Sequence, residues 1–188
     1  SPPFGGPAPA RGGDEAIPPE HLFHGKYRVV AKLGQGGFAK VYKAIHIELD
    51  EPRVIKLLHY AMGKNEEIIT RFKREAVAAS RLRHPGVVTV HDIDATTDGH
   101  LYIVMEFVDG CTLRQSMMSH PKLDVADTLT IGREIASTLV EAHAHRIIHR
   151  DLKPENVLIP TARREHVKVL DFGLAKIFSE AMGTVSIS

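Results

Sequence analysis

The sequence predicts an α+β fold, in which an antiparallel sheet with one helix is followed by a mainly helical stretch. Three observations carry that expectation. Strand-like runs recur from Tyr27 to Val108, the first two alternating with period two, interrupted once by a helical period from Glu66 to Arg83. A longer helical period runs from Asp124 to about His145, and two more β-rich runs follow it. With 188 residues, 43% of them hydrophobic, the chain can bury one substantial core, or a small lobe and part of a second.

Residues 1–19 hold six prolines and four glycines and almost no bulky apolar side chains. Such a stretch cannot offset the entropy of ordering, so residues 1–22 are assigned to a disordered Pro/Gly-rich leader. The strand-rich unit then occupies residues 23–106. Tyr27, Val29 and Ala31 alternate with Arg28, Val30 and Lys32 up to Leu33, the pattern of a half-buried strand. Gly34, Gly36 and Gly37 form a turn, and a second alternating run passes through Val41, Tyr42, Ala44 and Ile45. A dinucleotide-binding fingerprint would place a helix directly after the glycines, whereas Val41 to Ile47 is β-rich, so that alternative fails.

Arg53 to Leu58 is a third strand, apolar around Lys56. A lysine in such a run is either an edge gatekeeper or a cation held for an anion. The helix from Glu66 to Arg83 decides between them, because Glu75 falls on its apolar stripe with Phe72, Ala79 and Leu82, and Ala76 lies beside it. A carboxylate there needs a cation, for which Lys56 is the expected partner and Arg71 the alternative. Val87 to Ile93 and Leu101 to Val108 complete a five-stranded sheet around a turn at Thr96 to Gly99. Glu106 to Gly110 then leaves the strand pattern, with backbone groups able to meet a purine edge.

Residues 107–188 make up the second part. A short helix is expected from about Thr112, and a long one with Asp124 as N-cap. The stripe Leu129, Ile135, Ala136, Leu139, Val140 and Ala142 marks the long helix as a core element. Val157 to Ile159 and Val167 to Leu170 read as a hairpin that delivers Asp171.

Composition excludes some functions. Twenty-four basic against 23 acidic residues, net +1, give no concentrated basic surface for nucleic acid. Cys111 is the single cysteine, so no internal disulfide forms and a reducing, cytoplasmic setting is expected. There is no apolar run of membrane-spanning length, so no membrane contact is expected from these residues, and an anchor elsewhere is left open. His143 with His145, and His21 with His24, lack the acidic or thiolate neighbours of a metal site.

The chemistry concentrates in His149 to Asn156, HRDLKPEN. Asp151 and Asn156 lie five residues apart with Lys153 between them, and Asp171-Phe172-Gly173 begins fifteen residues beyond Asn156. One carboxylate can orient a hydroxyl, a lysine can neutralise phosphate, and Asn156 with Asp171 can hold Mg²⁺, which is the inventory of a phosphoryl-transfer site.

In order, the glycine turn, Lys56, Glu75, HRDLKPEN and DFG make the chain resemble a protein kinase, particularly the bacterial Ser/Thr kinases of eukaryotic type. The resemblance covers about Tyr27 to Ser188. It implies a complete N-lobe, a five-stranded sheet plus helix C, and the first section of a helical C-lobe ending in the activation segment. It implies ATP and Mg²⁺, with Mn²⁺ as a substitute, and a protein substrate with a Ser or Thr acceptor; self-association for autophosphorylation is left open.

By the same resemblance, amides around Gly34, Gly36 and Gly37 cover the phosphates, and Lys56, fixed by Glu75, holds two of them. Asp151 takes the hydroxyl proton, Lys153 steadies the moving phosphoryl group, and Asn156 and Asp171 bind the metal. Leu33, Val41, Val54 and Leu158 sandwich adenine, Met105 stands behind it, and Glu106 to Val108 pair with its edge. His149 and Phe172 are packing residues. Arg150 would meet a phosphorylated Thr184, Ser186 or Ser188. Ala39 and Val54 depart from the family's usual Gly and Ala. The family also continues beyond DFG into further helices, so these 188 residues alone are expected to bind nucleotide weakly and transfer phosphate poorly. The alternative is a nucleotide-binding or docking module without transfer.

Overall fold

Alternating side chains in the first half of the chain build a six-stranded antiparallel sheet of order β1-β2-β3-β4-β6-β5. The computed structural model describes residues 17–18, 20–36, 39–58, 66–96, 99–119, 124–161 and 167–172. The sheet strands are β1 (Leu22–Phe23), β2 (Tyr27–Gln35), β3 (Ala39–His46), β4 (Glu51–Leu58), β5 (Val90–Ala95) and β6 (Leu101–Glu106). Helix α1 (Glu66–Ser80) crosses between β4 and β5.

The sheet has one strand more than the five expected. Leu22 and Phe23 pair with Arg28 and Tyr27, while Glu20 and His21 hydrogen-bond to Val29. Residues 20–22, which composition placed in a disordered leader, are therefore ordered against β2, with Phe23 as the aromatic anchor beside them. Its ring is fully buried, 5.3 Å from that of Tyr102.

Period two sorts the sheet residues onto two faces. Tyr27, Val29, Tyr42, Ile55, Leu57, Tyr102 and Val104 pack on one. Ala39, Leu58, Ile103 and Met105 pack on the other, together with Ala76 of α1. Each fully buried Ile or Leu contributes roughly 1.5–3 kcal/mol, so register is strongly specified, and a one-residue slip would turn these side chains to water. Lys56 pairs with Ile103 in the ladder, and its neighbours Val54 and Leu58 belong to the α1 side.

The expected strand from Val87 is shortened, and the reason lies in the second part of the chain. That part contains β7 (Gly110–Thr112), α2 (Leu113–Ser119), α3 (Val125–Ala144), a 3₁₀ turn (Pro154–Asn156), β8 (Val157–Pro160) and β9 (Lys168–Val169). Val88 N–H donates to the Val169 carbonyl (3.1 Å), and Val169 N–H donates to that of Gly86 (2.7 Å). Val87 is thus bridged in parallel to Val169 and does not join β5. Around this bridge Ala79, Leu82, Val87, Ala142, Val169 and Phe172 form a third apolar cluster that joins the two parts.

The expected hairpin is present as β8 and β9, and β7 extends it to three strands. Thr112 caps α2 reciprocally: its Oγ1 accepts from Gln115 N–H (3.1 Å), and its N–H donates to Gln115 Oε1 (2.8 Å). Asp124 stands at the N-cap of α3 without a side-chain cap bond, and its carbonyl accepts from the amide and hydroxyl of Thr128. The α3 stripe divides. Ala142 is buried and Ile135 and Leu139 pack beneath it, but Leu129 is 69% and Val140 70% exposed. The core-helix expectation therefore holds for one face only.

Candidate active site

The HRDLKPEN segment, residues 149–156, is built on a buried imidazole. His149 Nε2 donates to the Leu170 carbonyl (2.7 Å), and Nδ1 accepts from Asp151 N–H (3.3 Å). Its ring meets Phe172 edge-on, with centroids 4.8 Å apart. Burial pushes the imidazole pKa down, outweighing the opposing pull of the Leu170 carbonyl and of Asp171 and Asp151. A neutral ring with one donor and one acceptor thus ties the loop to the strand that leads into Asp171. His149 and Phe172 have the packing roles the resemblance implied.

Asp151 collects the polar groups. Lys153 Nζ lies 2.7 Å from its Oδ2. The Asn156 amide donates to its carbonyl (2.8 Å) and to its Oδ2 (3.1 Å). Burial raises the Asp151 carboxyl, but Lys153 and Asn156 outweigh it and hold the pKa below the ordinary carboxylate value. The Asp151 contact in turn raises Lys153 against the opposing effect of burial. Asp151 is therefore ionised with one oxygen braced.

The short hairpin brings the next acid alongside. Leu170 N–H donates to the Asn156 carbonyl (2.9 Å), which places Asp171 beside the HRDLKPEN segment. Asp171 has φ 59° and Arg150 φ 66°, both left-handed, a conformation that costs free energy for residues with a Cβ. Asp171 Oδ2 lies 2.5 Å from Lys56 Nζ. The expected partner of Lys56, Glu75, has its side chain outside the described residues, as do Gly37 and the three hydroxyls Thr184, Ser186 and Ser188.

Asn156 and Asp171 have the donor chemistry of metal ligands. The Asn156 amide nitrogen is committed to Asp151, leaving its oxygen to meet a cation, and Asp171 offers carboxylate oxygen. An amide oxygen and a carboxylate suit a hard divalent ion such as Mg²⁺.

The adenine positions come together in part. Val54 pairs with Met105, and Val54, Val108 and Leu158 pack against the apolar cluster that contains Met105. Gly34 pairs with Val41, and Val41 with Lys56, so the start of the glycine turn stands in register with the strand lysine, one strand away. Leu33 sits at a β-bulge and is half exposed, outside that cluster. Gly36 N–H closes the turn by donating to the Ala39 carbonyl (2.9 Å). A Cβ on Gly34 or Gly36 would meet nothing within 4 Å, so their bareness leaves open space above the strand.

Two contacts at this site escaped the sequence reading. Lys168 Nζ lies 2.7 Å from Glu106 Oε1, and Lys43 Nζ lies 4.1 Å from the Phe107 ring centroid. A signal for the first was present. Lys168 stands in the apolar run Val167 to Leu170 as Lys56 does in its own, and the same argument demands an anion.

An antiparallel sheet with one packed helix, followed after residues 107–109 by a part in which α3 leads into a loop carrying Asp151, Lys153 and Asn156, has the architecture of a protein kinase. The Protein kinase domain family matches residues 27–187, and the chain belongs to that family, in the bacterial branch of eukaryotic-type Ser/Thr kinases. It is 44% identical over 154 residues to the serine/threonine-protein kinase pkn3 of Myxococcus xanthus, covering 81% of this chain and 28% of that protein. Against PrkC of Bacillus subtilis it is 40% identical, covering 82% of this chain and 24% of that protein. The crystal structure of the Mycobacterium tuberculosis PknI kinase domain superposes with a TM-score of 0.74 at 34% identity, over 85% of this chain and 64% of that one. The chain thus spans about a quarter of the length of these curated relatives.

Proposed function

We propose that the protein transfers the γ-phosphate of ATP to a Ser or Thr hydroxyl of a protein substrate, with the site above as its catalytic centre. The observation that carries this reading is the Asp151, Lys153 and Asn156 cluster, held beside Asp171 by the bond from Leu170 to Asn156. Membership of the family and the Ser/Thr kinases among its relatives support the reaction class.

Each residue has a physical role. Asp151, ionised and braced on one oxygen, accepts a hydrogen bond from the acceptor hydroxyl and takes its proton as the new O–P bond forms. Lys153, against that carboxylate, places positive charge where the phosphoryl group passes. Lys56 and Asp171 hold each other in this structure, and each is complementary to one part of a nucleotide complex, Lys56 to phosphate oxygens and Asp171 to a divalent cation. Asn156 and Asp171 would hold Mg²⁺, which supplies charge neutralisation of the phosphates when bound. Gly34 and Gly36 leave room for the phosphates, and Glu106 to Val108 receive the adenine edge between Val54 and Leu158, with Met105 behind. Glu75 is assigned to the support of Lys56. Transfer is assigned to the full-length protein, and the 188 residues alone are expected to transfer poorly.

The test is radiolabel transfer from Mg·ATP by the full-length protein and by its Asp151→Asn variant. A fall of about 10² to 10⁴ in rate is expected for loss of a general base. Equal labelling by both proteins would remove Asp151 from the reaction, and tight Mg·ATP binding without transfer by the unaltered protein would favour a nucleotide-binding module.

A further inference from the structure

Glu106 receives two donors on one oxygen. Lys168 Nζ and the backbone N–H of Thr89 each lie 2.7 Å from its Oε1, and Glu106 N–H returns a bond to the Thr89 carbonyl at 2.9 Å. Lys168 Nζ also lies 3.5 Å from the Val87 carbonyl. The two charged side chains are 23% and 24% exposed, so the pair is shielded more than an ordinary surface ion pair. Each partner sits at the end of a rigid run. Glu106 ends β6, and the next residue, Phe107, lies under the Lys43 ammonium. Lys168 opens β9, pairs with Leu158, and stands three positions before Asp171; Leu170, just past the strand, is held at its amide by Asn156 and at its carbonyl by His149.

We propose that Lys168 is a positioning residue: its bond to Glu106 sets the segment Glu106 to Val108 at a fixed offset from Asp171, so that one nucleotide is held at both ends. This rests on the nucleotide-binding reading above and adds a residue that reading does not use. Lys168 touches neither the base nor the phosphates. Its contribution is the relative placement of two half-sites, so its loss costs a ligand that spans both and spares a ligand that fills one.

That difference is measurable by calorimetric titration of the full-length protein with adenosine and with Mg·ATP. Lys168→Met is expected to weaken Mg·ATP on the order of tenfold and adenosine by less than about twofold. Glu106→Gln, which keeps an acceptor for Thr89 and removes the charge that holds Lys168, is expected to weaken Mg·ATP to the same extent, and serves if the lysine variant misfolds. The double variant should weaken Mg·ATP no further than either single change, and Lys168→Arg should restore it. Equal weakening of both ligands would reduce Lys168 to a local structural support and overturn the proposal, as would no change in either. If the unaltered protein binds neither ligand, the nucleotide reading itself falls, and this inference falls with it.

Discussion

At the scale of single residues, the site depends on two groups of opposite polarity that both resist protonation. His149 is neutral because its ring is buried, and Asp151 is ionised because Lys153 and Asn156 outweigh its burial. The imidazole has a folded pKa below its unfolded value near 6.5. Its contribution to stability is therefore fully present above about pH 6.5 and is lost as pH falls through that value towards the folded one, because the unfolded chain then binds the extra proton. Urea midpoints measured between about pH 7.5 and 5.5 should fall with pH, and His149→Asn should flatten the slope. An unchanged slope would mean that the ring takes up its proton as readily in the fold as in the unfolded chain. Asp151 has the opposite kind of group and the same sign of response, since its stabilisation is lost only below ordinary carboxylate pH.

At the scale of elements, close backbone approach decides where a side chain is tolerated. Gly110 on β7 runs so near β8 that a Cβ would lie 2.2 Å from the Ile159 carbonyl oxygen. Gly110→Ala should destabilise the chain by about 1–3 kcal/mol through this overlap. Gly132 is the contrast. It lies inside α3 with nothing within 4 Å of its Cβ position, so Gly132→Ala should stabilise by about 0.5–1 kcal/mol through helix propensity. Thermal denaturation of the two variants in the same buffer checks the opposite signs, and a stabilising Gly110→Ala would refute the close approach. The two glycines look alike in sequence, and only the neighbouring strand distinguishes them.

At the scale of the molecule, the two parts are joined by backbone bonds as well as by the segment after β6. Gly86 and Val88 on one side and Val169 on the other form a bridge, and a Cβ on Gly86 would lie 2.1 Å from Thr138 Oγ1 of α3. Val169 is fully buried between Leu82, Val87 and Ala142. Val169→Ala should cost about 1–3 kcal/mol and lower protection of α3 and of the Val87 region together in hydrogen exchange. Loss confined to β8 and β9 would show that the bridge does not couple the parts.

Much of this protein was legible without coordinates. Period-two alternation located β2 and β3, and largely apolar runs located β4 and β6, because a strand with one buried face alternates in hydropathy and a strand buried on both faces does not. The spacing within HRDLKPEN and the DFG triplet marked Asp151, Asn156 and Asp171, because local backbone geometry brings residues so near in sequence together. β1 was not legible, since two residues carry no period, and Phe23 shows its worth only against Tyr102. The division of α3 into a buried and an exposed face was likewise hidden, because a stripe records where packing is available and not where it occurs. Long-range ion pairs were the least accessible. That Lys56 meets Asp171, and that Lys168 meets Glu106, depends on strand order and on the Val87 to Val169 bridge. The sequence by itself determined the fold class and the inventory of charged groups; which of them meet was decided by tertiary structure, because a charge selects its partner through distance and burial, and both are properties of the packed chain.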